Sequence, residues 1–127
     1  MRILLTSVFV DDQAKALDFY TRVLGFVKKQ DVPVGAFRFL TVTSPGGPQD
    51  VELLLEPNVN PAARTYQRAI YAQGIPAATF FVEDIQREYE RLTALGVTFT
   101  SELIETSSGG DAVFDDTCGN LIGLQQI

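Results

Sequence analysis

A short internal repeat constrains the fold of this chain more than any other feature. The sequence FVDD at residues 9–12 recurs as FVED at residues 81–84. Each copy follows an apolar run rich in β-forming residues, and each opens a segment whose apolar residues are spaced three and four apart. That spacing indicates helices at about 13–24 and 85–95. The repeat therefore predicts two copies of one strand–helix unit.

Capping residues mark the ends of both predicted helices. Asp12 and Asp84 are suitable N-caps, and Gly25 and Gly96 fit the position just past each C-terminus. Three β-type segments follow each helix. These segments are about 26–30, 37–43 and 50–56 in the first half, and about 97–103, 112–115 and 120–126 in the second. The order strand, helix, three strands thus occurs twice, which predicts an α+β fold of two βαβββ modules.

Runs rich in Gly, Pro and Ser supply the turns and the connection between the halves. Residues 44–48 are typical of a hairpin loop, and residues 107–110 and 118–120 are further turns. Between the halves, Asn60 as a cap and Pro61 at the first helical position predict a short connecting helix. This helix either covers a sheet edge or subunit contact, or forms a lid over a site.

Composition excludes several classes of protein. A chain of 127 residues with 46% apolar residues is typical of one globular domain. A net charge of -6, without a cluster of Lys and Arg, argues against a nucleic-acid partner. Cys118 is the single cysteine, so the chain cannot form an internal disulfide, which favours the cytoplasm. No apolar run is long enough to span a membrane, and the start of the chain lacks the features of a signal peptide.

The chain contains no histidine, which limits its chemistry. Histidine is the commonest general base and the commonest transition-metal ligand, so other side chains would have to fill both roles. A turn cysteine such as Cys118, without a histidine, is expected to be inert. Asp115 and Asp116 are expected to stabilise their turn. The glycine pairs at 46–47 and 109–110 lack the Lys-Ser/Thr pair of a phosphate-binding loop.

Two segments resemble a known family. In the first, Val10-Asp11-Asp12 is followed by the pair Phe19-Tyr20 and then by Leu24-Gly25-Phe26. In the second, residues 116–120 resemble a D-P-D-G-N turn, from which Thr117 and Cys118 depart. Together they resemble the vicinal-oxygen-chelate superfamily, which includes glyoxalases, bleomycin resistance proteins and extradiol dioxygenases. The resemblance covers nearly the whole chain.

The resemblance implies an architecture and a metal site. It implies one domain over residues 1–127, with module one at about 1–58, a connecting segment at about 59–74 and module two at about 75–127. The modules would form curled mixed sheets around a central cup, and the protein would be a homodimer. In metal-dependent members the cup holds a divalent ion. The four ligand positions correspond to Leu5, Ala77, Gly123 and, on the fourth strand, Glu52, or Leu54 after a two-residue slip.

Leu5, Ala77 and Gly123 carry no side-chain donor, and one carboxylate cannot hold a transition metal in the usual geometry. We therefore expect no tightly bound metal and no other cofactor. Strand alternation then predicts a mostly apolar and aromatic cup with a few polar groups, which is typical of a small-molecule site. The predicted ligand-binding residues are Leu5, Ser7, Phe9, Phe39, Leu54, Ala77, Thr79, Phe81, Gly123 and Gln125.

Glu52 is the predicted catalytic residue, because desolvation in an apolar cup would raise its pKa and suit it to act as a base or to pair with a cationic ligand. Alternatively, Glu52 lies in water near the strand end or pairs with Arg38. Three functions remain open at this point: a metal-independent protein that binds an unidentified small molecule, a lyase or isomerase that uses Glu52 as base or partial metal ligand, and a structural or regulatory dimer without a ligand.

Overall fold

A computed structural model describes residues 1–106 and 109–127 of the chain. The predicted turn at Ser107 and Ser108 lies outside the described residues. The chain divides into two compact units, Met1–Thr65 and Tyr66–Ile127. Among the described residues, no helix has the length and apolar character needed to cross a membrane. That the whole chain is a single domain stays a prediction.

The first unit contains a four-stranded mixed sheet. Its strands are β1 (Leu5–Val10), β2 (Val27–Val34), β3 (Phe37–Thr43) and β4 (Glu52–Pro57), and its helix is α1 (Gln13–Asp18), which continues into a π-helical turn at Phe19–Val23. The strand order is β1-β4-β3-β2. β1 runs parallel to β4, and the other neighbours are antiparallel.

The second unit repeats this plan. Its strands are β5 (Ala78–Val82), β6 (Ile104–Thr106), β7 (Gly109–Asp115) and β8 (Leu121–Gln126), and its helix is α3 (Ile85–Ala94). The order β5-β8-β7-β6, with β5 parallel to β8, matches that of the first unit. A connecting helix, α2 (Pro61–Ala72), begins at the predicted proline after Asn60, whose Oδ1 accepts a hydrogen bond from Ala62 N. The α+β fold of two βαβββ modules is thus confirmed.

Both helix caps form as predicted. Asp12 accepts a hydrogen bond from Lys15 N at 3.0 Å, and Asp84 accepts one from Arg87 N at 3.1 Å. Because each cap follows a strand directly, it turns the chain onto one face of its sheet. That face of each sheet packs against its helix, and we call the opposite face the open face.

Two predicted elements differ from the structure. The predicted first helix ends its α-helical part at Asp18, because the next turn adopts π geometry, with Leu24 N bonded to Phe19 O. The predicted strand 97–103 is wrong as a regular strand. Phe99 alone in this segment forms an isolated bridge, to Phe114, and the ladder with β7 begins later, at Ile104.

Alternation along the strands separates the two faces of each sheet. On the helix side, the buried residues of the first unit are Val8, Val10, Leu40, Val42 and Leu55, together with Ala16 and Tyr20. In the second unit they are Ala112, Phe114, Ile122 and Leu124, together with Ile85 and Leu92. These two clusters bury most of the apolar surface that stabilises each unit.

Candidate functional site

The open face of the first sheet brings several predicted site residues together. In the parallel pairing of β1 with β4, Leu5 lies opposite Glu52, Ser7 opposite Leu54 and Phe9 opposite Glu56. Five of these six side chains belong to the predicted site, and Glu56 does not. The remaining first-half member of that site, Phe39, lies on β3. Leu5 is 48% exposed and Leu54 is half-buried, so a ligand could contact apolar surface here.

The Glu52 carboxylate is fixed by two neutral donors. Its Oε1 accepts hydrogen bonds from Gln30 Nε2 at 2.6 Å and from Thr41 Oγ1 at 2.7 Å. These bonds favour the charged form, so Gln30 first and Thr41 second lower the pKa of Glu52 below its usual value. The predicted rise of this pKa is therefore wrong, because hydrogen bonding to the carboxylate outweighs its partial desolvation.

Gln30 reaches this face because of a β-bulge. The pairing of β2 with β3 shifts between Lys28 and Gln30, so that Gln30 lies opposite Thr41. In an unbroken ladder Gln30 would point to the helix side, because alternate residues point to opposite faces. The predicted site did not include Gln30, and a single sequence carries no clear signal for a bulge at this position.

Arg38, the predicted alternative partner of Glu52, binds elsewhere. Its Nη2 and Nε donate to the two carboxylate oxygens of Asp31 at 2.6 and 2.9 Å. This bidentate pair lowers the pKa of Asp31 and raises that of Arg38. The predicted Glu52–Arg38 pair is therefore wrong.

The open face of the second sheet carries the remaining predicted residues. Thr79 on β5 lies opposite Gly123 on β8, which in turn lies opposite Val113 on β7. One row further along, Phe81 lies opposite Gln125. Phe81 is 57% exposed, and Thr79 and Gln125 are exposed as well. Ala77 is exposed and lies just before β5, where its N bonds to Leu121 O.

Gly123 is buried beneath the side chain of Thr79. A Cβ added at Gly123 would lie 2.7 Å from Thr79 Oγ1 and 3.3 Å from Thr79 Cγ2. Real Cβ atoms do not approach other atoms that closely, so a side chain at this position would displace Thr79. The two residues therefore form a matched pair at the centre of this face.

The turn before β8 is held by buried polar groups, as expected for Asp115 and Asp116. Asp116 is fully buried, and its Oδ1 accepts hydrogen bonds from Cys118 N at 2.8 Å and Asn120 N at 2.9 Å. Asp115 Oδ1 accepts one from Thr117 N. Cys118, the single cysteine of the chain, has a buried side chain, and burial limits the access of reagents to its thiol. This turn therefore has a structural role.

The chain is similar in sequence to proteins of one superfamily. A model of the Glyoxalase/Bleomycin resistance protein/Dioxygenase superfamily matches residues 2–124. The chain belongs to this superfamily. It is 56% identical over 126 residues to the protein YurT of Bacillus subtilis (strain 168), a match that covers 99% of each chain.

Two solved structures share both the fold and substantial identity with this superfamily member. The crystal structure of UcmS2 matches with a TM-score of 0.85 and 33% identity, covering 98% of this chain and 97% of that one. TnmS3, described as an antibiotic binding protein from Streptomyces sp. CB03234, matches with a TM-score of 0.77 and 31% identity, covering 99% of this chain and 95% of that one.

The strand register bears on which residues stand at the superfamily's metal-ligand positions. Through the repeat, Ser7 on β1 corresponds to Thr79 on β5, and their partners are Leu54 and Gly123. If Gly123 is the ligand position of the second module, its counterpart in the first is Leu54 rather than Glu52. On that premise, the ligand position on β4 would be Leu54, which is the alternative that a two-residue slip gives.

The donor set does not fit a divalent metal of the superfamily's kind. Leu5, Leu54, Ala77 and Gly123 offer no side-chain oxygen, nitrogen or sulfur. Within residues 1–106 and 109–127, no group of three or more His, Cys, Asp or Glu side chains could hold an ion. Glu52 remains as one carboxylate, and its Oε1 is already engaged by Gln30 and Thr41.

Proposed function

We propose that this chain binds a small aromatic or amphipathic molecule, which it sequesters or carries, and that it does so without a tightly bound metal. The observation that carries the proposal is the open face of the first sheet, where the apolar side chains of Leu5 and Leu54 neighbour a carboxylate held by two neutral donors. Apolar surface with a few oriented polar groups is typical of a small-molecule site.

Two further observations support binding. TnmS3, at 31% identity, is described as an antibiotic binding protein. The residues at the metal-ligand positions lack donors, so a ligand would be held by apolar contacts and hydrogen bonds instead. The predicted ligand-binding residues of the second open face, such as Thr79, Phe81 and Gln125, are exposed and accessible for the same purpose.

The lyase or isomerase alternative receives less support. A general base is most effective when its pKa lies near the working pH. Hydrogen bonds from Gln30 and Thr41 lower the pKa of Glu52 instead, which makes it a weaker proton acceptor. Glu52 is therefore better suited to meet a positive charge than to remove a proton.

A ligand screen with and without chelator tests the proposal. Small aromatic and amphipathic compounds are added to protein purified without chelator, and the thermal midpoint is measured before and after EDTA treatment. We expect at least one compound to raise the midpoint to the same extent in both samples. Elemental analysis that finds a stoichiometric transition metal, with binding lost after EDTA, would contradict metal-free binding.

Two truncations of exposed leucines locate the binding face. Leu5→Ala removes apolar surface from the open face of the first sheet, whereas Leu95→Ala removes a similarly exposed leucine (54% against 48% exposed) from the end of α3. We expect Leu5→Ala to weaken binding of the compound and Leu95→Ala to leave it unchanged. Equal effects of the two variants would place the ligand elsewhere.

The assembly and location also remain proposals. We infer that the protein is a cytoplasmic homodimer that binds neither nucleic acid nor membranes. Exposed apolar residues at the end of the β2–β3 hairpin, Val32, Val34 and Phe37, support a subunit contact. Light scattering coupled to size exclusion tests the dimer, and a monomeric mass across the micromolar range would contradict it.

A further inference from the structure

The acidic residues of the first unit differ in whether they form ion pairs with Lys or Arg. Asp11, Asp18, Asp31 and Asp50 each pair with a Lys or Arg, at N–O distances from 2.5 to 3.1 Å. Asp12 caps α1. The two glutamates form no ion pair with any residue that the structure describes, and both lie on β4. The unmet negative charge of this unit is therefore concentrated on one strand.

Both glutamates point to the open face. Glu52, Leu54 and Glu56 alternate with the helix-side residues of β4, and their partners on β1 are Leu5, Ser7 and Phe9. A strand rises about 3.3 Å per residue, so positions four residues apart are separated by roughly 13 Å. Each carboxylate thus has an apolar neighbour on β1, and half-buried Leu54 lies between the two.

One of the two carboxylates is held in place and is still able to bind. Gln30 and Thr41 both donate to Oε1 of Glu52, and Oε2 accepts no hydrogen bond from the described part of the chain. Every buried side-chain oxygen of the described residues has a hydrogen-bond partner. Because Oε2 has none among these residues, it is not buried and is accessible to solvent. Lys29, whose charge acts on Glu52 through space, donates a hydrogen bond to Gln49 O at 2.6 Å rather than to Glu52.

We propose that the first open face binds a molecule with two positively charged groups joined by an apolar spacer, one group meeting Glu52 and the other Glu56. This inference rests on the proposed binding function and specifies the class of its ligand. The charges of such a molecule complement two carboxylates that form no ion pair within residues 1–106 and 109–127, and its spacer covers Leu54. A carboxylated ligand would be repelled at both ends.

A series of α,ω-diaminoalkanes measures the spacing directly. An extended alkyl chain advances about 1.25 Å per bond, so the nitrogens of nonane-1,9-diamine lie about 12.5 Å apart. Diamines from butane-1,4-diamine to dodecane-1,12-diamine are titrated at low salt into the labelled protein and followed by NMR, beside the monoamine of each length. We expect affinity to peak near the nine-carbon diamine, about fivefold above nonylamine, as a second partly exposed ion pair allows.

Charge-neutral variants test each end. Glu52→Gln and Glu56→Gln should each lower the affinity of nonane-1,9-diamine about fivefold, to the level of nonylamine, and abolish the length optimum. Asp50→Asn removes the same charge from an aspartate that pairs with Arg2, and it should keep the optimum. Affinity that rises steadily with length, equally for diamines and monoamines, or an optimum that survives Glu56→Gln, overturns the proposal.

The outcomes also separate this inference from the proposed function. Monoamines or neutral aromatic compounds could shift resonances of Leu5 and Leu54 while the affinity of the diamines shows no optimum in chain length. In that case the face binds small molecules, but it does not bind two positive charges at once. If no compound of either kind perturbs this face, the proposed function fails there as well.

Discussion

The two units share one topology but differ in the side chains on their open faces. Both have the order βαβββ, an Asp-capped helix and a first strand that runs parallel to the last. At matching positions, the first unit has Leu54 and Glu56 on β4, where the second has Gly123 and Gln125 on β8. The first unit has seven acidic and seven basic residues, and the second has nine and three.

This difference indicates which side chains of each unit are constrained by packing. The helix-facing side must fill a closed space, so its residues are constrained by packing. The open face lies away from α1 or α3, so apart from close-packed positions such as Gly123 beneath Thr79, its side chains differ between the two units. One residue on the helix side breaks this pattern: Gln13 begins α1 where Ile85 begins α3, and both are buried.

The largest expected effect is at that position. Gln13 donates from Nε2 to Arg38 O at 2.7 Å and to Leu55 O at 2.9 Å, and its Oε1 accepts from Arg38 N at 3.0 Å. Gln13→Ile, which copies the second unit, leaves three backbone groups without these partners and should cost about 3 kcal/mol of unfolding free energy. Urea denaturation measures it, with Ile85→Val as the control at about 1 kcal/mol. A loss equal to that of the control would mean that water replaces Gln13.

The next effect is at the Gly123–Thr79 pair. Gly123→Ala brings a Cβ to 2.7 Å from Thr79 Oγ1 and should destabilise the protein by about 1 to 2 kcal/mol. Thr79→Ala removes the clashing atoms, so Gly123→Ala made in that background should cost almost nothing. The double-mutant cycle in urea should therefore show a coupling of about 1 to 2 kcal/mol. Additive effects would show that the matched pair does not exist in solution.

The smallest expected effect concerns pH. Because the folded-state pKa of Glu52 lies below its unfolded value, its charge stabilises the fold above the unfolded value, and that stabilisation is lost as pH falls through the folded pKa. Glu52→Gln removes this contribution. The stability difference between the wild type and Glu52→Gln, measured in urea, should shrink as pH is lowered from 7 to 3. A difference that grows on acidification would mean that the pKa is raised instead.

Much of the repeated βαβββ topology was predictable because it depends on local sequence signals. The FVDD/FVED repeat, the two capping aspartates and the Asn60-Pro61 start of α2 each act within a few residues. Alternation along β1 and β5 also assigned Leu5, Thr79 and Phe81 to the open faces. The π-helical turn at Phe19–Val23 and the late start of β6 were not predictable, because neither changes the apolar pattern that a sequence displays.

For Glu52, the face of the sheet was predictable from the sequence, but the direction of its pKa shift was not. Glu52 lies on the face where it was expected, yet its pKa is lowered rather than raised. The reason is Gln30, which a bulge in β2 turns toward Glu52 across the intervening strand β3. The pKa of a carboxylate depends on which donor groups bond to it. These donors come from distant parts of the chain, and the sequence does not show which of them will lie beside the carboxylate.

The repeated βαβββ order and the lack of donor side chains at Leu5, Ala77 and Gly123 follow from the sequence alone. This is because helix caps, strand alternation and residue identity are local properties. The tertiary structure decided the rest. Strand register placed Leu54 opposite Ser7, the bulge delivered Gln30 to Glu52, and the pairing of β5 with β8 put Thr79 over Gly123. Each of these depends on how strands from different parts of the chain align, which only the folded sheet specifies.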